Sequence, residues 1–278
     1  MDYPTASIID GQHRLHAFRL LEAEAPHRDM ELLCVVFLEL PTPYHAYVFA
    51  TINFNQKKVD RSLAYELFGF DVQEREPKYW APETLAVYIA RLLNTAEDSP
   101  LKGCIVPAAE ALKIESREAI NALRVSMATM VDGILKLISK KPKDDRYEIR
   151  QPVNIVVGRG VLPKILDLPL RSFYLNSNDR AIYDILFNYF YAVDKTIWKT
   201  AQPGSYLKKT VGVQALFDLL QYLLDRLEIT EANFSIESLS TRLKVCENLD
   251  PEGTKYQASG IGRTAIKKDL LAEIFKTL

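Results

Sequence analysis

Cysteine is scarce in this chain, long apolar runs are missing, and neither sign of charge dominates. The three cysteines lie at 34, 104 and 246 and form no Cys-x-x-Cys pair. An odd count in a chain of this size argues against a disulfide framework or a structural zinc site and fits a reducing compartment. No stretch approaches the roughly 18 consecutive apolar residues that a membrane span needs. The opening MDYPTASIID has neither the basic nor the apolar region of a signal peptide. The expectation is a cytoplasmic protein with no membrane partner. Lys and Arg total 35 against 36 Asp and Glu, a net charge of −1. Bulk electrostatic capture of nucleic acid is therefore not expected, and any anion contact must come from a local patch. No internal repeat of 20–50 residues is present.

What is present suffices for a core. The 278 residues are 48% hydrophobic and 26% charged, which fits one or two globular domains and excludes disordered and collagen-like classes. The charge is unevenly spread. Residues 1–72 hold 6 Lys/Arg and 10 Asp/Glu, a net of −4, and residues 73–278 hold 29 and 26, a net of +3. From Thr254 onward, Lys255, Arg263, Lys267, Lys268 and Lys276 face only Asp269 and Glu273.

Pattern divides the chain at about residue 72. Ser7-Ile8-Ile9 is short and β-prone, Asp10-Gly11 is a turn signal, and helical spacing follows from His13 until Pro26 closes it. Leu32 to Leu40 is nearly all apolar, as in a strand buried on both faces, with Cys34 inside it as a core residue. Thr42-Pro43 opens a helix carrying Ala46, Val48, Phe49 and Ile52, and a second short helix runs from Arg61 to Phe68 with Asp60 as its cap. After a polar junction at 71–80 the pattern is helical over 83–95, 116–139, 178–200, 212–227 and 262–277. A charged loop is expected at 140–151, a short strand or extended chain at Val153–Val157, and a helical turn at 161–167. Aromatics interleave through Tyr183, Phe187, Tyr189, Tyr191 and Trp198. The residues read as core packing, with a nucleic-acid stacking surface as the alternative. Two strands do not make a stable sheet, so later segments must complete it or strands lie upstream of Met1.

The most specific feature is Ser7-Ile8-Ile9-Asp10-Gly11-Gln12-His13-Arg14-Leu15. It reads as a strand, a tight turn and a helix opening with Gln12, His13 and Arg14. Free N–H groups and the dipole at a helix N-terminus favour an anion. Gly11 allows close backbone approach, Arg14 can fork onto phosphate oxygens, and His13 can donate a proton or hydrogen bond. The competing reading is a plain turn with Arg14 in an ordinary salt bridge. Asp10 could polarise a water for phosphate hydrolysis or simply close its own Asx-turn. His13, His16 and His45 have no acidic or cysteine companion at metal-ligand spacing, so no metal site is expected.

This motif resembles the signature of the DGQHR-domain family, which includes DndB-like proteins of DNA phosphorothioation systems and belongs to the ParB/sulfiredoxin-like superfamily. Thr51-Ile52-Asn53-Phe54-Asn55-Gln56-Lys57-Lys58-Val59-Asp60-Arg61-Ser62 is similar to the family's second block. The two blocks cover residues 7–68. Weaker matches lie at Lys209-Thr210-Val211-Gly212 and at Ser259-Gly260-Ile261-Gly262-Arg263. The resemblance implies a ParB/sulfiredoxin-like α/β unit over 1–72, apparently truncated, followed by a larger mainly α-helical domain over 73–278. It also implies that strands normally preceding the motif are missing from this chain or come from another. In sulfiredoxins the turn reads Gly-Cys-His-Arg. Gln12 replaces that cysteine, which excludes sulfinic-acid reduction. His13 replaces an arginine of the ParB turn, so cytidine preference does not carry over.

The function implied is a DNA-associated regulatory or accessory protein of a bacterial DNA-modification or defence system. DNA and other DNA-modification proteins would be its partners, and an oligomer is compatible with it. The alternative is a nucleotide phosphohydrolase taking a nucleoside triphosphate with Mg, as in related DGQQR-type defence proteins. Asp10 and His13 would then be catalytic. Gly11, Gln12, His13, Arg14, Asn53, Asn55, Gln56 and Lys57 would hold the nucleotide. A second anion candidate is Gly260, Gly262, Arg263, Lys267 and Lys268, a glycine-rich turn before a basic helix, although no Walker pattern occurs.

Overall fold

The computed structural model describes residues 7–21, 25, 30–41, 44–45, 47–49, 51–52, 61–69, 72, 75–106, 123–154, 156–250 and 253–276. Nearly all of its regular structure is helical. In chain order the helices are α1 (Gln12–Arg19), α2 (Arg61–Glu66), α3 (Pro82–Thr95), α4 (Met127–Ile138), α5 (Pro142–Ile149) and α6 (Arg171–Leu175). After them come α7 (Asp179–Val193), α8 (Thr210–Arg226), α9 (Ile236–Leu243) and α10 (Gly260–Phe275). Residues 44–45, 47–49 and 51–52 are also helical. Two two-residue strands, β1 (Ile105–Val106) and β2 (Val125–Ser126), pair in parallel, Ile105 opposite Val125. None of the helices is long and apolar enough to cross a membrane, among the described residues.

The core forms around α8. Val213, Ala215, Leu216, Phe217, Leu219, Leu220, Leu223 and Leu224 are all buried, so the helix is covered on almost every side. It packs mainly on α10 and α4, while α3 packs on α4 and α7 on α9. The α4–α8 approach is close enough to require glycine: a Cβ on Gly133 would lie 2.3 Å from the Phe217 ring. Caps follow the expected chemistry. Ser126, Asn178, Ser235 and Ser259 each accept a backbone N–H from the first turn of α4, α7, α9 and α10.

Buried arginines tie the periphery to this core. Arg159, fully buried, donates to both carboxylate oxygens of Asp179 at 2.5 and 3.1 Å and to the Trp80 carbonyl at 3.0 Å. Arg171 forks onto Asp145 at 2.5 and 2.9 Å and donates to the Ile138 and Pro163 carbonyls. Arg146 pairs with Glu83 at 2.5 Å and reaches the Tyr47 hydroxyl, its guanidinium lying over the Tyr47 and Phe68 rings. Through these contacts the chain before residue 72 meets the helices behind it. Arg61 and Tyr65 both donate to Asp132 of α4 at 2.8 Å, and Ser62 Oγ accepts the Ala128 N–H.

Several expectations are met and several corrected. The helices expected at 83–95, 178–200, 212–227 and 262–277 are present within a few residues, the second continuing through a π-helical turn at Asp194–Trp198. The helix expected over 116–139 starts at Met127, because Val125 and Ser126 pair as a strand and Ser126 caps it; residues 116–122 are not described. The charged loop at 140–151 is instead α5, opened by Pro142 at its first turn and acidic at Asp144 and Asp145. Val153 lies in a 3-10 turn at Pro152–Asn154, and the turn near 161–167 forms earlier, at Gly158–Val161.

The larger corrections fall at the front. Residues 7–9 and 30–41 form no strand, and Leu33, Val35, Val36 and Leu38 are exposed, Leu33 completely. Cys34 is exposed rather than a core residue. An apolar run becomes a two-face-buried strand only when neighbouring strands and covering layers meet it, and none of the described residues does. The α/β character read from the front therefore has no sheet behind it among those residues; the helical character of the rest stands.

Candidate functional site

The chain turns at Gly11 and α1 opens at Gln12 as expected, but no strand leads into the turn, and Arg14 makes the ordinary salt bridge of the competing reading. Gly11 caps α1 from the left-handed region, at φ 88° and ψ 7°, where a side chain would strain the backbone. The first helical bond runs from the Leu15 N–H to the Gly11 carbonyl at 3.0 Å. The N–H groups of Gln12, His13 and Arg14 precede that bond, no side chain caps the helix, and the first turn holds no carboxylate. This is the arrangement in which backbone N–H groups and dipole together favour an anion.

Arg14 folds back over the turn. Its Nη2 donates to Asp10 Oδ2 at 3.0 Å, and a Cβ built on Gly11 would meet the same Nη2 at 3.3 Å. The structure thus brings Asp10, Gly11 and Arg14 together, with Gln12 and His13 exposed on the first turn. Exposed i,i+4 pairs contribute only ~0.3–0.5 kcal/mol, so a phosphate can take Arg14 from Asp10 with little loss. Among the described residues Asp10 is the one carboxylate shown in hydrogen-bond contact with the turn, and it holds Arg14. His16 and Arg19 lie in the last turn of α1, and His45 lies against the Leu40 carbonyl at 2.9 Å. Among the described residues no group of three or more His, Cys, Asp or Glu is placed to hold a metal. Asn53, Asn55, Gln56 and Lys57, with Lys58, lie outside the described residues.

The C-terminal candidate is put together differently. Arg263 forks onto Asp218 of α8 at 2.7 and 2.9 Å, and Lys136 of α4 meets the same carboxylate. Burial pushes the Asp218 carboxyl upward, but the hydrogen bonds from Arg263 and Lys136 outweigh it and hold its pKa below the ordinary value. Arg263 is thereby a clamp between α10 and α8. Gly262 serves packing as well, since a Cβ there would lie 1.9 Å from the Gln257 carbonyl oxygen. Gly260 has open space around it, and Lys267 and Lys268 are exposed one turn further on.

Sequence reasoning missed the buried arginines. Arg159 sits in Gly158-Arg159-Gly160, which in sequence is only a weak Gly-x-Gly anion-turn signal, and its role depends on Asp179, which only the fold brings near. Arg146 and Arg171 carry no local signal at all. No family model, curated protein or solved structure matches this chain.

Proposed function

We propose that the chain is a DGQHR-domain, DndB-like DNA-associated accessory protein that contacts phosphate through the N-terminal turn of α1. The observation that carries this reading is the uncapped turn at Gly11, with Arg14 folded over it and no carboxylate in the first helical turn. DNA-modification proteins are its partners in this reading, and a ParB/sulfiredoxin-like α/β unit is the fold of the front. The exposed apolar segment at 30–38 supports the latter, because that composition belongs in a sheet interior.

Nucleotide hydrolysis is the second reading; it needs Asp10 released from Arg14 to act on a water. A salt series of duplex binding tests the proposal. Phosphate contact predicts a linear fall of log affinity with log salt, and Arg14→Ala shallows the slope by about one. An unchanged slope in Arg14→Ala overturns it.

A further inference from the structure

The row of aromatics along α7 divides into two sets. Tyr189 and Trp198 are buried, their polar atoms spent on the Leu216 and Leu207 carbonyls at 2.7 and 3.0 Å. Tyr183, Phe187 and Tyr191, one turn apart, are only partly buried. Their rings follow one another at 5.9 and 6.0 Å with interplanar angles of 34° and 29°. That spacing matches the rise of four helical residues, about 6 Å, so the rings form a row along the axis. Cations close both ends. Arg180 lies 5.7 Å from the Tyr183 ring and Lys195 lies 5.2 Å from the Tyr191 ring. Lys199 is exposed a further turn along. From Arg180 to Lys195 the row spans about 22 Å of helix.

We propose that Tyr183, Phe187 and Tyr191 are a stacking platform for single-stranded nucleic acid, with Lys195 and Lys199 holding its phosphates. Every base has a π face, and base–aromatic stacking beside a cationic track is the common way to hold a single strand without reading its sequence. A duplex presents no free base faces to such a row, so the platform fits an unpaired strand. Charge sets the direction of the contact. Arg180 is paired with Asp184 at 2.8 and 2.9 Å, whereas Lys195 and Lys199 pair with no carboxylate among the described residues. The lysine end is therefore the phosphate end. The site is on a different helix from the Gly11 turn and does not depend on it.

The test is binding of fluorescein-labelled oligothymidylate to the full chain at low salt, with duplex of equal length as competitor. Tyr191→Ala is expected to weaken binding about five- to a hundredfold, Tyr191→Phe to restore it, and Lys195→Glu to weaken it while leaving the melting temperature unchanged. Arg14→Ala should leave oligothymidylate affinity intact, which separates failure here from failure of the phosphate turn. No binding by the wild-type chain overturns the proposal. So does equal affinity in Tyr191→Ala, duplex competing as well as single strand, or a Tyr191→Ala variant that changes only self-association.

Discussion

Helices α1 and α8 obey the same local rules and end in opposite environments. No residue of α1 is buried, and its Leu15 faces solvent, as does Leu20 just after it, whereas α8 is covered on nearly every side. The contrast extends to their arginines. Arg14 at the front is exposed and holds a half-buried carboxylate, while Arg159 and Arg171 behind it are buried with forked partners and backbone carbonyls. Among the described residues, the buried apolar area that stabilises the fold lies in the second region. The first region holds its polar groups where a ligand can reach them. The same side-chain chemistry thus serves packing in one place and is left open for contact in the other.

The sharpest way to break this contrast is to remove one side chain from each region. Arg171→Leu leaves the buried Asp145 with the Ser139 hydroxyl but without its charged partner, and should cost about 3–5 kcal/mol in denaturant unfolding. Leu33→Ala at the front should stay within about 0.5 kcal/mol. A comparable loss at both positions would end the distinction. Next in size is Gly133→Val, whose added side chain meets the Phe217 ring and should cost about 1–3 kcal/mol by overpacking. A neutral result would mean that α4 and α8 are not held as close as described.

Titration gives a smaller and directional signature of the buried region. Burial raises the Glu83 carboxyl above its ordinary 4.5, the Arg146 charge offsetting part of that, and Glu83 Oε2 has no hydrogen-bond partner. The folded state then binds this proton more tightly than the unfolded one, so stability falls as pH rises from about 4.5 through the raised value. Asp218 has the opposite sign. Its depressed carboxyl contributes stability that is present above 3.8 and lost as pH falls through the depressed value. Melting curves between about pH 2 and 7 should lose the first slope in Glu83→Gln and the second in Asp218→Asn. A slope that survives its substitution has another source.

The parts of the fold legible in the sequence were those whose own periodicity reports their burial. Helices α3, α7, α8 and α10 bury a regular apolar stripe, and their patterns mark them within a few residues. Helix α5 has no such stripe. Its Asp145 and Arg146 are held by ion pairs to Arg171 and Glu83, which are distant in sequence, so a charged run became a helix. The segment at 32–40 failed for the converse reason: an apolar run shows that burial is needed, not that a covering surface exists. At the candidate site, the local turn of Asp10, Gly11 and Arg14 was legible because all its parts lie within five residues. At the C-terminal end the glycines and Arg263 looked alike in sequence. Only the nearness of Asp218 and the Gln257 carbonyl shows that Gly262 and Arg263 serve packing.

The division between a stable helical body and an open turn proposed to contact phosphate is tested most directly by calorimetric melting of the wild type and Arg14→Ala, each alone and with excess duplex at low salt. Alone, both should melt at the same temperature, since an exposed pair contributes so little. With duplex, the wild type should melt higher by mass action, and the rise should shrink in Arg14→Ala. A lower melting temperature for Arg14→Ala alone, or an equal rise for both with duplex, would contradict the account.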